Sequence, residues 1–276
     1  MFSILYNDAY PFNTKNILMK LVFSLILSFS FLALSAQGDT PELITDRPDQ
    51  TESASIVPRN SLQVETGFLF ENDANDLFST QAITYNTTLL RFGLLENVEL
   101  RAGLDYSSET ISLNGNSFLT TYNAGLSPLY AGFKLKVTDE SGWRPRIAFL
   151  GGIVFPFTAG ENIRPDHSAA TMRFAFAHTL SDRFSIGYNL GAEWNGESTV
   201  PGYFYSAALG IGILDKLGGF VETYGLIPED GQAEHLLDAG FTYLVLPLLQ
   251  LDISGGIGIS NAAIANFVSF GLSFMI

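Results

Sequence analysis

From residue 61 onward apolar and polar residues alternate with a period of two, and helical periodicity is scarce. Val98, Leu100, Ala102, Leu104 and Tyr106 fall on one face, opposite Glu99, Arg101, Gly103, Asp105 and Ser107. The same pattern places Phe184, Ile186, Tyr188, Leu190, Ala192 and Trp194 opposite Ser185, Gly187, Asn189, Gly191 and Glu193. It recurs from Leu251 to Ser260. The alternation predicts about twelve strands, near 61–71, 80–94, 98–107, 120–137, 144–156, 170–179, 184–194, 203–214, 219–227, 235–245, 250–260 and 265–276. A tilted strand of ~9–11 residues crosses a bilayer.

Connection lengths alternate too. Residues 95–97, 138–143, 180–183, 215–218 and 246–249 make short turns. Residues 72–79, 108–119, 157–169, 195–202 and 228–234 make longer loops, and 261–264 departs from the rule. The expectation is all-β: an antiparallel transmembrane β-barrel of about twelve strands, with short periplasmic turns and longer external loops. A soluble barrel also alternates but has about eight strands, and twelve enclose more than side chains fill. Aromatic residues near strand ends, among them Phe70, Tyr106, Phe155, Phe184, Trp194, Tyr203 and Tyr243, suit interface girdles. The last strand alternates Val268, Phe270, Leu272, Phe274 and Ile276, and resembles the signal read by the outer-membrane barrel assembly machinery.

Composition supports lipid contact. Of the 276 residues 47% are hydrophobic and only 15% charged, against about 25% charged in an average soluble domain. Fourteen basic and 28 acidic residues give a net charge of −14, which argues against nucleic acid as a partner. The absence of cysteine removes disulfides, a zinc ribbon and a thiol nucleophile.

The N-terminus carries an address. Lys15 and Lys20 precede the apolar run 21–34, and Ser35 and Ala36 follow, so residues 1–36 read as a secretory signal peptide. Met19-Lys20 is an alternative start, which makes 1–18 an over-extended beginning. Residues 37–60 contain three prolines after Asp39 and do not alternate. They are expected to form a periplasmic tether or partial plug ahead of the barrel, 61–276. Asp46, Arg47, Asp49 and Glu52 are its gate candidates.

The run Thr45-Asp46-Arg47-Pro48-Asp49-Gln50-Thr51-Glu52-Ser53, then Val57-Pro58 and Gln63-Val64-Glu65-Thr66-Gly67, resembles the entry of the MetA-pathway of phenol degradation family. Leu90-Arg91-Phe92-Gly93-Leu94, Glu96 to Arg101, Asp238-Ala239-Gly240 and Leu251-Asp252 are similar to it as well. The resemblance covers most of 42–276. It implies a transporter-like outer-membrane barrel of Gram-negative bacteria and no particular solute.

Inward-facing charges on the expected strands are Arg91, Arg101, Lys134, Lys136, Arg146 and Arg173, with Glu65, Glu99, Asp105, Glu193, Glu222, Asp238 and Asp252. The bases fall in strands two to six and only acids follow in strands seven to eleven. These opposing walls either set up a transverse field for polar or zwitterionic solutes or pair and close the lumen. The loops hold Glu71, Asp73, Asp76, Glu109, Glu161, Asp166, Glu197, Glu229, Asp230 and Glu234 against Arg164. They read as a solvated surface, or as a surface bridged by divalent cations to lipopolysaccharide.

Catalysis has little to stand on. Asp166-His167-Ser168 are sequence neighbours and cannot form a triad among themselves. His178 and His235 lie elsewhere, and no nucleophile elbow, zinc or nucleotide motif occurs. The expected function is therefore non-enzymatic, with no cofactor and no metal site. It is a porin-like transporter for small solutes, hydrophobic or aromatic ones among the candidates. The alternatives are a non-transporting structural or adhesive barrel acting through its acidic loops and, third, an outer-membrane hydrolase. Expected partners are outer-membrane lipid, lipopolysaccharide, the assembly machinery and the solute.

Overall fold

The computed structural model describes residues 41–74, 78–113, 116–196 and 198–276, without the side chains of 116–119. The expected signal peptide, residues 37–40 and the loop acids Asp76 and Glu197 lie outside them. The described chain winds through twelve antiparallel strands, each paired with the next. β1 is Leu62–Ala74. β2 comprises Phe78–Thr84 and Thr88–Leu95, β3 Val98–Leu104 and Tyr106–Leu113, and β4 Asn116–Leu126 and Leu129–Thr138. β5 is Arg146–Phe155, β6 Ala169–Thr179, β7 Phe184–Trp194 and β8 Gly202–Leu214. β9 is Leu217–Ile227, β10 Glu234–Leu246, β11 Leu249–Gly258 and β12 Asn266–Met275. β12 pairs back onto β1 from Gln63↔Met275 to Asn72↔Asn266, which closes the barrel. Closure removes every sheet edge along that seam.

The interruptions in β2, β3 and β4 sit at one level, because the side chains there compete with the ladder. Asp105 Oδ1 accepts from Thr88 N at 3.0 Å, and Asn86 Oδ1 accepts from Tyr106 N at 2.9 Å. Pro128 has no N–H to donate. Beyond this level the strands continue further than alternation alone suggests. The expected loops 72–79 and 108–119 are mostly strand, with the ladder Phe78↔Leu113, Thr80↔Ile111 and Ile83↔Ser108. Both faces there carry polar residues, Ser79, Gln81, Ser108 and Thr110 on one and Thr80, Glu71 and Glu109 on the other, so the apolar-polar contrast that marks a strand inside a bilayer is lost. Glu71, Asp73 and Glu109 accordingly lie on strands.

The barrel is inside-out relative to a soluble one. Phe68, Leu90, Leu100, Phe174, Leu190, Val221, Phe241, Ile253 and Phe270 are exposed on its outer surface. Glu65, Arg91, Glu99, Lys134, Asn189, Glu222 and Asp252 are buried within. A hydrocarbon surround is the medium in which that arrangement is stable. Trp143, in the turn between β4 and β5, is 90% exposed, as an interface anchor is.

The segment before β1 runs inside the barrel. Ala54 packs with Ala148, Leu150 and Ala175, while Leu43 and Val57 pack with Met275. Asn60 takes a left-handed turn, φ 63°, and feeds the chain into β1, its N–H donating to Gly93 O at 2.7 Å. Asn tolerates that region better than most residues.

Candidate functional site: the lumen and its tether

Alternation turns Gln63, Glu65, Gly67, Arg91, Gly93, Glu99 and Arg101 inward from β1 to β3, and Lys134 and Arg146 from β4 and β5. On the far side it turns Arg173, Asn189, Glu193, Ser206, Glu222, Asp238 and Asp252 inward from β6 to β11. The tether lies between these two walls, in the half of the lumen nearer the short turns.

Two of its acids, Asp46 and Glu52, meet the basic wall. Asp46 accepts from Arg101 Nη1 at 2.7 Å and from Lys134 Nζ at 2.9 and 3.0 Å, and pairs with Arg91 Nη1 at 3.2 Å. Glu52 accepts two hydrogen bonds from Arg101 Nη2, at 2.8 and 2.9 Å. Arg91 in turn holds Glu65 and Glu99, each at 2.8 Å. Those two carboxylates reach back to the tether: Glu65 accepts from Asp46 N and Arg47 N, and Glu99 accepts from Val57 N. Arg91 and Lys134 are fully buried, so each charge is stable only because it is met. Burial pushes the Asp46 carboxyl up, but Arg91, Lys134 and Arg101 outweigh it and hold it well below the usual carboxylate range.

The tether's base meets the acidic wall. Arg47 donates to Asp252 at 2.9 and 3.3 Å, to Thr87 at 2.7 Å and to Ser269 at 3.0 Å. Its guanidinium fits because Gly67 and Gly271 face each other across β1 and β12. A Cβ on either would lie 2.5–2.6 Å from Arg47 Nη2. Gly93 similarly lets the backbone of Val57 and Pro58 pass close to β2.

Farther along, Glu222 accepts from Gln50 N at 2.7 Å and from the Thr51 hydroxyl, which is also 2.7 Å from Ser206 Oγ. Asn189 clamps the Glu52 backbone, accepting from its N–H at 2.7 Å and donating to its carbonyl at 3.0 Å. Arg173 donates to Gln50 O and Asn189 Oδ1, and its guanidinium lies 4.4 Å over the Phe204 ring. Arg146 donates to Ser55 Oγ at 2.6 Å. Asp49 sits by Glu222 and Asp238, and burial first, then Glu222, raises its carboxyl well above the usual range.

The inward candidates read from sequence therefore fall into groups. Asp46 and Glu52 gather with Arg91, Arg101 and Lys134. Arg47 gathers with Asp252, and Arg146 with Ser55. Arg173 meets the tether backbone, and Asp49 stands beside Glu222 and Asp238. Glu193 lies apart, lining a cavity toward the loops. Charge alone did not point to Gln63, Thr51 and Asn189. Gln63 and Asn189 occupy inward positions, and an uncharged amide on the polar face was the available signal. The histidines are scattered. His167 is exposed, His178 stacks on Tyr188, and His235 Nδ1 is 2.9 Å from the Tyr205 hydroxyl.

None of the curated proteins matches the chain in sequence. Several solved structures match its fold. An outer membrane channel from Pseudomonas putida F1 is 11% identical, with 81% of this chain and 98% of that chain covered and a TM-score of 0.65. The translocator domain of the autotransporter NalP from Neisseria meningitidis is 12% identical, covers 78% and 88%, and has a TM-score of 0.52. The transport unit of the autotransporter AIDA-I from Escherichia coli is 9% identical, covers 84% and 92%, and has a TM-score of 0.50. At these identities the likeness is one of fold, the closed antiparallel barrel of outer membrane proteins. In sequence, a family model matches residues 45–276, from the start of the tether motif to the last residue of the chain, and the chain belongs to the family described as "Putative MetA-pathway of phenol degradation".

Proposed function

We propose that the protein is an outer-membrane channel that passes small solutes through its lumen, with the tether as its plug. The observation that carries this reading is the charge match. Asp46 and Glu52 lie against the basic wall and Arg47 lies against Asp252. The hold is mostly polar, and polar contacts in a lumen that water can enter are exchangeable for water. Among the described tether residues the buried apolar side chains are Leu43, Pro48, Ala54 and Val57, all but one of them small. A plug held this way can leave without unfolding the barrel.

The role of the similar Pseudomonas protein as an outer membrane channel supports the reading. Export by the signal peptide, short turns in the periplasm and loops outside belong to the same proposal. So do recognition of β12 by the assembly machinery and divalent-cation bridging of the loop acids to lipopolysaccharide.

The test is deletion of residues 39–57 behind the signal peptide, with arabinose-driven swelling of liposomes as the readout. Faster swelling than with the full chain is expected. Equal rates remove the plug. If neither protein passes arabinose or a small aromatic solute, the barrel is a closed, structural one. A heat-dependent shift on a denaturing gel verifies that each variant is folded.

A further inference from the structure

Two cavities flank the tether on the same side of the lumen, along β6–β10. The one toward the loops, about 180 Å³, is bounded by Arg173, Glu193, Phe204, Tyr224 and Glu234. The one toward the turns, about 350 Å³, is bounded by Asp49, Arg183, Gly212, Gly218 and Thr242. Inward-facing glycines leave that second space open. Between the two, at successive inward positions of the same strands, stand Glu222 on β9 and Asp238 on β10, direct cross-strand partners. Tether residues Asp49 to Thr51 cross at this point.

The two carboxylates differ in one respect. Glu222 is held by Gln50 N and the Thr51 hydroxyl. Asp238 is 6% exposed, and neither of its oxygens accepts a hydrogen bond from an amide, hydroxyl or basic group among the described residues; the polar group beside it is the carboxyl of Glu222. A buried carboxylate with no such donor, beside a second carboxylate, lacks a positive partner. Neither the tether nor the wall supplies one there, since the tether's Arg47 is spent on Asp252 and the wall's Arg173 lies over Phe204 and on Gln50 O.

The cavity above adds Glu193, Glu234 and Tyr224, beside the Phe204 ring that already carries a guanidinium, that of Arg173. Carboxylates with aromatic faces suit an ammonium group, which gains from both charge and ring quadrupole. An aromatic ring beside carboxylates favours an organic cation over a hydrated metal ion.

We propose that the solute path runs off the barrel axis through these two cavities, and that it is built for small organic cations. Their ammonium group docks on the Glu222–Asp238 pair as Gln50 and Thr51 leave Glu222. This rests on the channel reading and adds the route and the solute class.

The experiment uses the full chain in liposomes and compares uptake of labelled choline, arabinose and gluconate. Choline is expected to enter fastest. Asp238→Asn is expected to bring the choline-to-arabinose ratio down toward one, and Glu193→Gln with Glu234→Gln to lower it in the same direction. The second pair keeps the idea testable if the first variant fails to fold. Gly212→Trp should abolish choline entry, since a Cβ there meets nothing nearer than 3.7 Å and the indole would fill the cavity. Arabinose entering as fast as choline in the parent overturns the cation assignment and leaves the channel standing. Undiminished choline flux in Gly212→Trp overturns the route. No flux of any solute, even after the tether is deleted, overturns the channel reading itself.

Discussion

Locking Thr51 to β7 with a disulfide tests whether the tether is the moving part. A Cβ built on Gly187 lies 3.1 Å from Thr51 Cγ2, and its next neighbour, Phe176 O, is at an ordinary 3.8 Å. An S–S bond of about 2.05 Å puts each sulfur roughly 3 Å from the opposite Cβ. A sulfur at the γ position of residue 51 is therefore already at bonding distance from a thiol introduced at position 187. The chain has no cysteine of its own, so the pair Thr51→Cys/Gly187→Cys has no competitor. Reduction and oxidation should act in opposite directions. Reduced, the variant lacks the hydroxyl that binds Glu222 and Ser206. A hydrogen bond to a charged group contributes about 1.5–3 kcal/mol, or roughly tenfold to a hundredfold in the opening equilibrium at ~1.4 kcal/mol per decade. The reduced variant should thus pass arabinose faster than the parent, and the oxidised one more slowly than either, with dithiothreitol reversing the block. Oxidised protein with its crosslink verified by mass, yet as permeable as the reduced form, would refute the moving tether. Failure of the pair to crosslink would refute the seat assigned to Thr51.

Three other outcomes follow from the same contacts. Asp46→Ala leaves Arg91, Arg101 and Lys134 without the carboxylate they share; losing one partner of a buried ion pair costs about 3–5 kcal/mol. Limited proteolysis should then cut the tether in the folded barrel, and a tether as resistant as in the parent would contradict the network. Gly67→Ala puts a methyl 2.6 Å from Arg47 Nη2 and 2.5 Å from Phe270 O, so the Arg47–Asp252 pair should be displaced and the barrel destabilised by about 1–3 kcal/mol in urea. An unchanged midpoint would mean that the seat is not tight. Asp49 has a raised folded pKa, so its share of tether stability is complete below the ordinary carboxylate pKa and is lost as pH rises through the raised value. Tether proteolysis should therefore increase with pH in that window in the parent and not in Asp49→Asn, and parallel profiles would sink the idea.

The barrel was legible in the sequence because lipid and lumen impose opposite chemistries on alternate residues. That contrast is greatest where both media are present, as in Val98–Ser107 and Phe184–Trp194. It disappears toward the loops, where polar residues such as Thr80, Ser108 and Glu109 occupy both faces of the strands, and there alternation misplaces the strand ends. The path of the tether left no periodic trace. An extended segment without its own ladder is positioned by partners distant in sequence, and Arg47 and Asp252 are 205 residues apart. Separation of the wall charges into a basic and an acidic side was readable. That a third segment would satisfy both sides was not, because two walls of opposite sign fit direct pairing equally well.

The residues that carry the family resemblance are scattered through the sequence but converge in space on this segment. Gln63 and Glu65 hold Ile44, Asp46 and Arg47, and Gly67 makes room for the Arg47 guanidinium. Arg91 binds Asp46 and the Ser55 carbonyl, while Gly93 lets Pro58 past. Glu99 and Arg101 bind Val57, Asp46 and Glu52, and Asp252 binds Arg47. A barrel wall alone needs only alternation and turn residues and does not require an arginine and a glutamate at fixed inward positions. A wall that must receive one particular peptide does require them, since each charge buried there needs its partner at hydrogen-bond distance. Asp238 belongs to the same set of residues, and its two oxygens have no amide, hydroxyl or basic donor among the described residues. Because Glu222 and Asp252, its acidic neighbours on the wall, are met by the tether and Asp238 is not, Asp238 marks where something other than the tether is to bind.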